Sequence, residues 1–212
     1  MPTISVMKID SVSQSPDRSG RYLVKFSDGS TMKLYRQTVE DFRMVPGMEI
    51  DDLDAIRENN SRYSAKMRAV RIISASAVSK RDLENRLVRK GESEEQAKEA
   101  VRWLSDLNLV DDRATARQVV DSCVRKGYGL QRAKQALYEK QIPKQLWEEA
   151  LEDYPDQTDA ITAFLRQRIR EPDDPRQVKR AIDAALRRGH SYGDVKRALE
   201  RIGTESDFEE EY

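Results

Sequence analysis

The stretch Ser79–Gly91, SKRDLENRLVRKG, contains the signals of one complete short helix. Ser79 and Asp82 have the spacing of a capping box, in which the serine oxygen accepts a hydrogen bond at the helix start. Leu83 and Leu87 are four positions apart, so both would lie on one buried face. Gly91 follows a basic last turn, as glycines that end helices do. The stretch predicts an amphipathic helix from about residue 79 to 90.

The same pattern recurs along the chain. Ser79, Leu83, Leu87 and Lys90 are matched 50 positions later by Gly129, Ala133, Leu137 and Lys140. Gly91, Ser93, Ala100 and Val101 are matched 98 positions later by Gly189, Ser191, Ala198 and Leu199. Constant offsets over several positions favour a true repeat over a chance likeness of helix ends.

Nine helices are predicted, at about 64–76, 79–90, 93–107, 111–126, 129–140, 143–153, 156–170, 175–188 and 191–202. They group into three tandem three-helix repeats, at 61–108, 109–154 and 155–202. Neighbouring repeats should stack to bury what one repeat leaves exposed. The expected fold is therefore mostly α, an elongated and curved array of helices.

Residues 1–60 have a different pattern. Ile4–Ile9 alternates apolar and polar residues, which is the period of a strand. Asp28-Gly29 stands between two β-rich runs, so it predicts a hairpin with a two-residue loop that pairs Phe26 with Thr31 and Tyr22 with Tyr35. A short helix is expected over 51–59, ending at Asn59-Asn60. Residues 1–60 are thus predicted to form a small β-rich N-terminal segment.

Composition excludes several classes of protein. The 212 residues contain no apolar run of about 18 residues, so no membrane-spanning helix is expected. The N-terminus lacks a basic stretch followed by an apolar one, so no signal peptide is predicted. The chain has one cysteine and one histidine, too few for a disulfide or a His-rich metal site. We expect a cytoplasmic protein, and a monomer because stacked repeats cover their own faces.

The zero net charge of the chain hides strong regional differences. Residues 1–60 carry a charge of −2, residues 61–202 carry +7, and residues 203–212 carry −5. The last ten residues therefore read as an acidic, disordered tail. The basic residues of the repeats cluster near helix ends, where they could simply complement helix dipoles. Their recurrence in all three repeats favours a basic surface that binds a polyanion: Arg86, Arg89, Lys90, Arg125, Lys126, Arg132, Lys134, Arg187, Arg188, Lys196 and Arg197.

Catalytic motifs are not found in the sequence. Gly127-Tyr128-Gly129 does not match a phosphate loop and predicts an interhelix turn. Cys123 lies in a valine-rich stripe and is predicted to be a buried core thiol. His190 stands in a turn with no partner nucleophile, so a structural role is favoured. No catalytic residue, metal site or cofactor is expected, and we predict a protein that is not an enzyme.

Several stretches together resemble the RecX family, bacterial regulators of the recombinase RecA. They are Ser79–Gly91, Leu109-Val110-Asp111-Asp112-Arg113 with Ala116, Arg125–Gly129, Lys140–Pro143 and Leu186–Tyr192. The resemblance covers about residues 4–202 and implies three tandem three-helix repeats. Three positions depart from the family pattern: Thr115 replaces an aromatic residue, Gln141 a glycine and His190 a phenylalanine.

The resemblance also implies a function. RecX proteins bind the RecA–single-strand DNA filament and inhibit RecA ATPase, strand exchange and co-protease activity, and so affect recombination, DNA repair and the SOS response. The basic residues above would then contact RecA or DNA, single- or double-stranded. Two alternatives remain open: a helical module that binds DNA or RNA alone, and a protein-interaction scaffold without nucleic-acid affinity.

Overall fold

The computed structural model describes residues 7–16 and 20–203. Four strands lie in the first quarter of the chain: β1 Met7–Gln14, β2 Arg21–Phe26, β3 Thr31–Tyr35 and β4 Glu49–Ile50. The α-helices are α1 Arg36–Asp41, α2 Leu53–Ala75, α3 Lys80–Arg89, α4 Glu94–Asp106, α5 Asp112–Arg125, α6 Leu130–Glu139, α7 Trp147–Leu151, α8 Thr158–Arg166, α9 Pro175–Arg187 and α10 Tyr192–Glu200. The predicted mostly helical fold behind a small antiparallel strand segment is confirmed. The predicted strand residues 4–6 and all but Gly203 of the acidic tail lie outside the described residues.

The chain forms two compact units. The first contains the residues up to Ser76 together with Leu83–Val110, and the second contains Ala77–Asp82 together with the residues from Asp111 onward.

The first unit begins with a four-stranded antiparallel sheet in the order β3-β2-β1-β4. Its buried side chains include Ile9, Val24, Phe26, Leu34 and Ile50. Alternating positions of β2 and β3 supply this core, as the period-two pattern requires. Ile56 of α2 packs into the same cluster and so attaches the sheet to the helices of this unit.

The predicted register of the β2–β3 hairpin is wrong by one residue. Lys25 pairs with Thr31, and Tyr22 pairs with Leu34. The loop has three residues rather than two, because the Phe26 amide bonds to the Ser30 carbonyl oxygen at 2.9 Å. Only Gly29 in this turn has a positive φ, of 84°, whereas a two-residue type I′ turn needs positive φ at both central residues.

The two helices predicted over 51–59 and 64–76 are one continuous helix, α2. Asp52 caps its start by accepting a hydrogen bond from the Ala55 amide at 2.9 Å. Asn59 and Asn60 do not end the helix. Their side chains form hydrogen bonds with residues outside α2 instead of capping it. Asn60 Oδ1 accepts from the Tyr35 amide at 2.8 Å, and Asn59 Nδ2 donates to Asp41 at 3.0 Å. The expected boundary near residue 60 therefore falls inside a helix.

Several predicted helix starts are confirmed. Ser79 Oγ accepts a hydrogen bond from the Asp82 amide at 3.1 Å, and Ser93 Oγ accepts one from Gln96 at 3.2 Å. Asp174 caps α9, with Pro175 at the first position of the helix. The helix predicted over 143–153 is shorter than expected: a 3₁₀ turn, Lys144–Leu146, precedes the five residues of α7.

Equivalent contacts occur twice between helices of the second unit. Ser79, at the start of α3, donates from Oγ to the Lys140 carbonyl oxygen at 2.7 Å. Gly129 occupies the position of Ser79 in the next repeat, and its amide donates to the Arg188 carbonyl oxygen at 2.9 Å. In both cases a helix start contacts the end of the corresponding helix one repeat later, which is the nearest-neighbour packing of repeat proteins.

Candidate binding surface

Three of the predicted basic residues lie in the first unit, at the end of α3. Arg86 is half-buried, and Arg89 Nε donates to the Asn85 carbonyl oxygen at 3.3 Å. Lys90 is exposed, and it forms no ion pair with another residue that the structure describes. This end of α3 therefore offers Lys90 and Arg89 to solvent.

Arg125 and Lys126 mark the end of α5 in the second unit. Both are exposed, and neither pairs with an acidic side chain of the described ranges. Lys196 is likewise exposed, whereas Arg197 on the same helix is paired with Asp194. Lys134 is half-buried on α6.

The structure brings the other three predicted residues together. Arg132, Arg187 and Arg188 line one cavity of about 340 Å³ in the second unit. Its remaining lining residues are Tyr128, Phe164, Arg168 and Ala184. We call this the arginine cavity. It joins residues from the start of α6, from the end of α9 and from α8 and the turn after it.

Arg188 is half-buried in this arrangement. Its Nη2 donates to the Lys126 carbonyl oxygen at 2.6 Å. Its guanidinium carbon lies 4.8 Å from the ring centre of Phe164 and 5.1 Å from that of Tyr128, within the range of cation–π attraction. Its Nε is buried and forms no hydrogen bond to any residue that the structure describes. Arg188 is therefore partly a packing residue, and its buried Nε donor has no acceptor among the described residues.

The charge of the arginine cavity is not balanced by its lining. Four lining residues are arginines and none is acidic. Arg132 is paired with Glu139 of its own helix at 2.9 Å, and this contact raises the pKa of Arg132 and lowers that of Glu139. The guanidinium carbon of Arg168 lies 3.9 Å from the ring centre of Phe164. Arg168 and Arg187 form no ion pair with described residues, so the cavity is strongly positive.

Sequence reasoning missed Arg168, Phe164 and Tyr128 as candidates. The two aromatic residues are 36 positions apart, so nothing in the sequence brings them to one site. Arg168 does not stand out in the sequence, because it lies among other charged residues near Arg166 and Arg170. A signal is nevertheless present, since Phe164 and Arg168 are four positions apart and such a pair can meet on one helical face.

Cys123 and His190 are buried in the second unit and Tyr154 is half-buried, and the pKa of each group is shifted by its surroundings. Burial raises the pKa of the Cys123 thiol, and it raises the pKa of Tyr154 to about 12. Tyr154 donates its hydroxyl proton to the Tyr128 carbonyl oxygen at 2.6 Å. His190 Nε2 lies 3.1 Å from the Gly127 carbonyl oxygen, so it carries a proton and donates to it. Burial lowers the pKa of His190, although this hydrogen bond opposes the shift.

Two further features are absent from the described part of the chain. No group of three or more His, Cys, Asp or Glu side chains is placed to hold a metal ion in residues 7–16 and 20–203. No helix within the same ranges is long and apolar enough to cross a membrane.

The fold and its basic surfaces together define a class: a helical-repeat protein that presents unneutralised arginine and lysine side chains. Residues 111–151, which contain α5, α6 and α7, match the model of the second three-helix domain of RecX. The chain is 29% identical over 153 residues to the regulatory protein RecX of Chlorobaculum tepidum, covering 70% of this chain and 95% of that one. It is 27% identical over 139 residues to the RecX protein of Prosthecochloris aestuarii, covering 65% and 92%. The chain is therefore similar to RecX regulatory proteins, in one three-helix domain by the family model and over about two thirds of its length by the relatives.

Two solved structures share the fold. A crystal structure of a regulatory protein RecX has a TM-score of 0.66 at 20% identity, and the likeness covers 92% of this chain and 99% of that one. RecX from Lactobacillus salivarius has a TM-score of 0.60, also at 20% identity, over 68% and 98%. The first of these likenesses extends over nearly the whole chain, so it includes the N-terminal strand segment.

Proposed function

We propose that this protein regulates a RecA recombinase by binding the RecA–single-strand DNA filament. Binding would inhibit RecA ATPase, strand exchange and co-protease activity, and would thereby modulate recombination, DNA repair and the SOS response. The observation that carries the proposal is the match of α5–α7 to a RecX domain. In this role the protein is a binding partner in the cytoplasm and not an enzyme.

The charge of the repeats supports this role. A RecA–DNA filament presents a phosphate backbone, and exposed lysine and arginine side chains attract such a polyanion. Arg125 and Lys126 are exposed and unpaired among described residues, which makes them available for such contacts. The other predicted contact residues differ in availability, because Arg132 and Arg197 already have acidic partners.

The test is the ATPase rate of RecA on single-stranded DNA, titrated with this protein. We expect the rate to fall as the protein is added, and the fall to require no catalytic turnover by the protein itself. An unchanged ATPase rate at an excess of the protein over RecA would refute the proposal.

Independent binding to nucleic acid is a second candidate, and the arginine cavity favours it. A module of this kind would bind single-stranded DNA or RNA with a steep dependence on salt, and RecA would add nothing to the affinity. A scaffold without nucleic-acid affinity would show neither effect. Titrating labelled oligonucleotides with and without RecA separates these cases.

A further inference from the structure

We propose that the arginine cavity is a binding site for the backbone phosphate of a single-stranded nucleic acid, with Arg168 and Arg187 as the contact residues and Arg188 as the inner donor. The inference rests on the second candidate function and deepens it, because it names the residues that would bind and the chemical group that they would contact.

The arginine cavity holds positive charge that its lining does not neutralise. Like charges held in one cavity repel each other unless a counter-charge is present. Glu139 compensates Arg132, but Arg168, Arg187 and Arg188 have no acidic partner among the described residues. A phosphate would relieve this repulsion, and guanidinium groups bind phosphate oxygens through paired N–H donors.

Arg188 also offers a spare hydrogen-bond donor to a ligand in the cavity. Buried polar atoms in folded proteins nearly always have a hydrogen-bond partner. The Nε of Arg188 is buried without one in the described chain, although the same guanidinium group bonds to the Lys126 carbonyl oxygen through Nη2. An oxyanion in the cavity would supply the acceptor that this nitrogen lacks.

The excess of arginine is specific to this junction between repeats. At the preceding junction, the offsets of 50 and 48 residues place Asp82 and Glu139 at the positions of Arg132 and Arg187. A second cavity of about 640 Å³ lies there, and its charged lining residues are Arg81, Glu139 and Lys144. That lining has two basic residues and one acidic residue, whereas the arginine cavity has four arginines and no acidic residue. Helix-end basicity alone would not produce this difference.

The aromatic rings favour a nucleic acid over an acidic peptide. Phe164 has Arg168 and Arg188 within 5 Å of its ring centre, so it holds both guanidinium groups in place. Guanidinium planes are surfaces on which unstacked bases can lie. The site can therefore bind a phosphate and a neighbouring base together. An aspartate or glutamate side chain has no planar base to place on the guanidinium groups.

The experiment measures binding of a fluorescent oligo(dT) to the full-length protein by anisotropy, between about 50 and 200 mM salt. The test variant is Arg168→Gln with Arg187→Gln. The matched control is Arg166→Gln with Lys179→Gln, which removes the same charge from exposed positions of α8 and α9 outside the cavity. Circular dichroism verifies that both variants keep their helix content.

We expect the test variant to bind about tenfold more weakly than the control and its salt slope to fall by about 0.7 for each phosphate that the variant no longer neutralises. Equal weakening in both variants would mean diffuse attraction and would overturn the site, as would no binding by the unchanged protein. A glutamate homopeptide competes as a further probe. Its effect is compared with that of inorganic polyphosphate at the same total concentration of negative charge. If the peptide displaces oligo(dT) as effectively as polyphosphate does, the preference for phosphate is overturned.

Inhibition of the RecA ATPase by the same variants separates this inference from the proposed function. If the test variant binds oligo(dT) normally and still inhibits RecA, the proposed phosphate site is refuted and the regulatory role is unaffected.

Discussion

The backbone amide of Gly129 donates a hydrogen bond to the carbonyl oxygen of Arg188 at 2.9 Å, so two repeats of the second unit meet main chain to main chain. The Gln131 amide adds a bond to the Gly189 carbonyl oxygen at 3.1 Å. At the equivalent position one repeat earlier, Ser79 reaches its partner through its side chain instead. The absence of a side chain at residue 129 permits the closer approach, which brings Arg188 beside Tyr128.

Replacing Gly129 by alanine should therefore destabilise the second unit. A Cβ atom at this position would lie 2.0 Å from the Gly189 carbonyl oxygen, so the backbone must move. We expect a loss of about 3 kcal/mol in the free energy of unfolding, measured by urea denaturation. The matched control is Gly193→Ala in α10, where the nearest atom is 3.9 Å away and a helical alanine should be neutral or stabilising. Equal stability of the two variants would contradict the close approach.

Arg187 and Arg188 are neighbours in sequence, but only Arg188 is expected to contribute much to stability. Arg188→Ala removes a hydrogen bond to Lys126 and two cation–π contacts, and should cost about 2 kcal/mol. Arg187→Ala removes an exposed side chain and should change stability by less than about 0.5 kcal/mol. Urea denaturation of both variants tests the difference, and a larger loss for Arg187→Ala would reverse the assignment.

The protein should lose stability as pH falls below about 6.5, the ordinary pKa of histidine. The folded state lowers the pKa of His190 by burial, helped by Arg188 and opposed by Gly127 and Asp194. The unfolded chain consequently takes up the proton first, so this contribution is complete above pH 6.5 and is lost toward the lower folded pKa. One proton limits the slope to about 1.4 kcal/mol per pH unit.

The His190→Gln variant serves as the control for this effect. His190 is the single histidine of the chain, so its replacement should abolish the change in stability between pH 7.5 and 5.5. Carboxyl groups take up protons well below this range. An unchanged pH profile in the variant would assign the effect to another group.

Reversing the charge of Arg125 and Lys126 to glutamate should weaken inhibition of the RecA ATPase while helix content stays the same. Acidic residues at the end of α5 oppose its dipole, so a loss of about 1 kcal/mol in stability is also expected. The matched reversal of Arg176 and Lys179, two exposed residues of α9, should leave inhibition unchanged. Full inhibition by the Arg125 and Lys126 double variant would refute their assignment.

Removal of residues 204–212 should raise the affinity for non-specific DNA, most clearly at low salt. The removed segment contains five acidic residues and no basic one. Its negative charge opposes the attraction of DNA to the basic repeats. A full-length variant with the five acids changed to Gln or Asn separates charge from chain length. DNA affinity equal to that of the unchanged protein in both variants would leave the tail without this role.

The amino-acid sequence alone determined most of the helix starts, but not the continuity of α2 or the short length of α7. Caps such as Ser79, Ser93 and Asp174 act on neighbouring amides, and apolar spacings such as Leu83 with Leu87 describe one helical face. Both signals involve residues close together in the sequence, so they predict a helix without knowledge of its tertiary contacts. The repeat offsets added the correspondence between Ser79 and Gly129, from which three three-helix repeats are predicted.

Tertiary structure decided the features that depend on distant partners. Asn59 and Asn60 resemble a helix end until Asp41 and Tyr35 are brought beside them. The hairpin register depended on the backbone conformation of the turn, which Asp28-Gly29 does not specify by itself. The arginine cavity combines Tyr128, Phe164 and Arg188, which come together only because Gly129 lets the backbones of two repeats touch. A pattern in sequence records which residues face inward, but packing between repeats determines which of them meet.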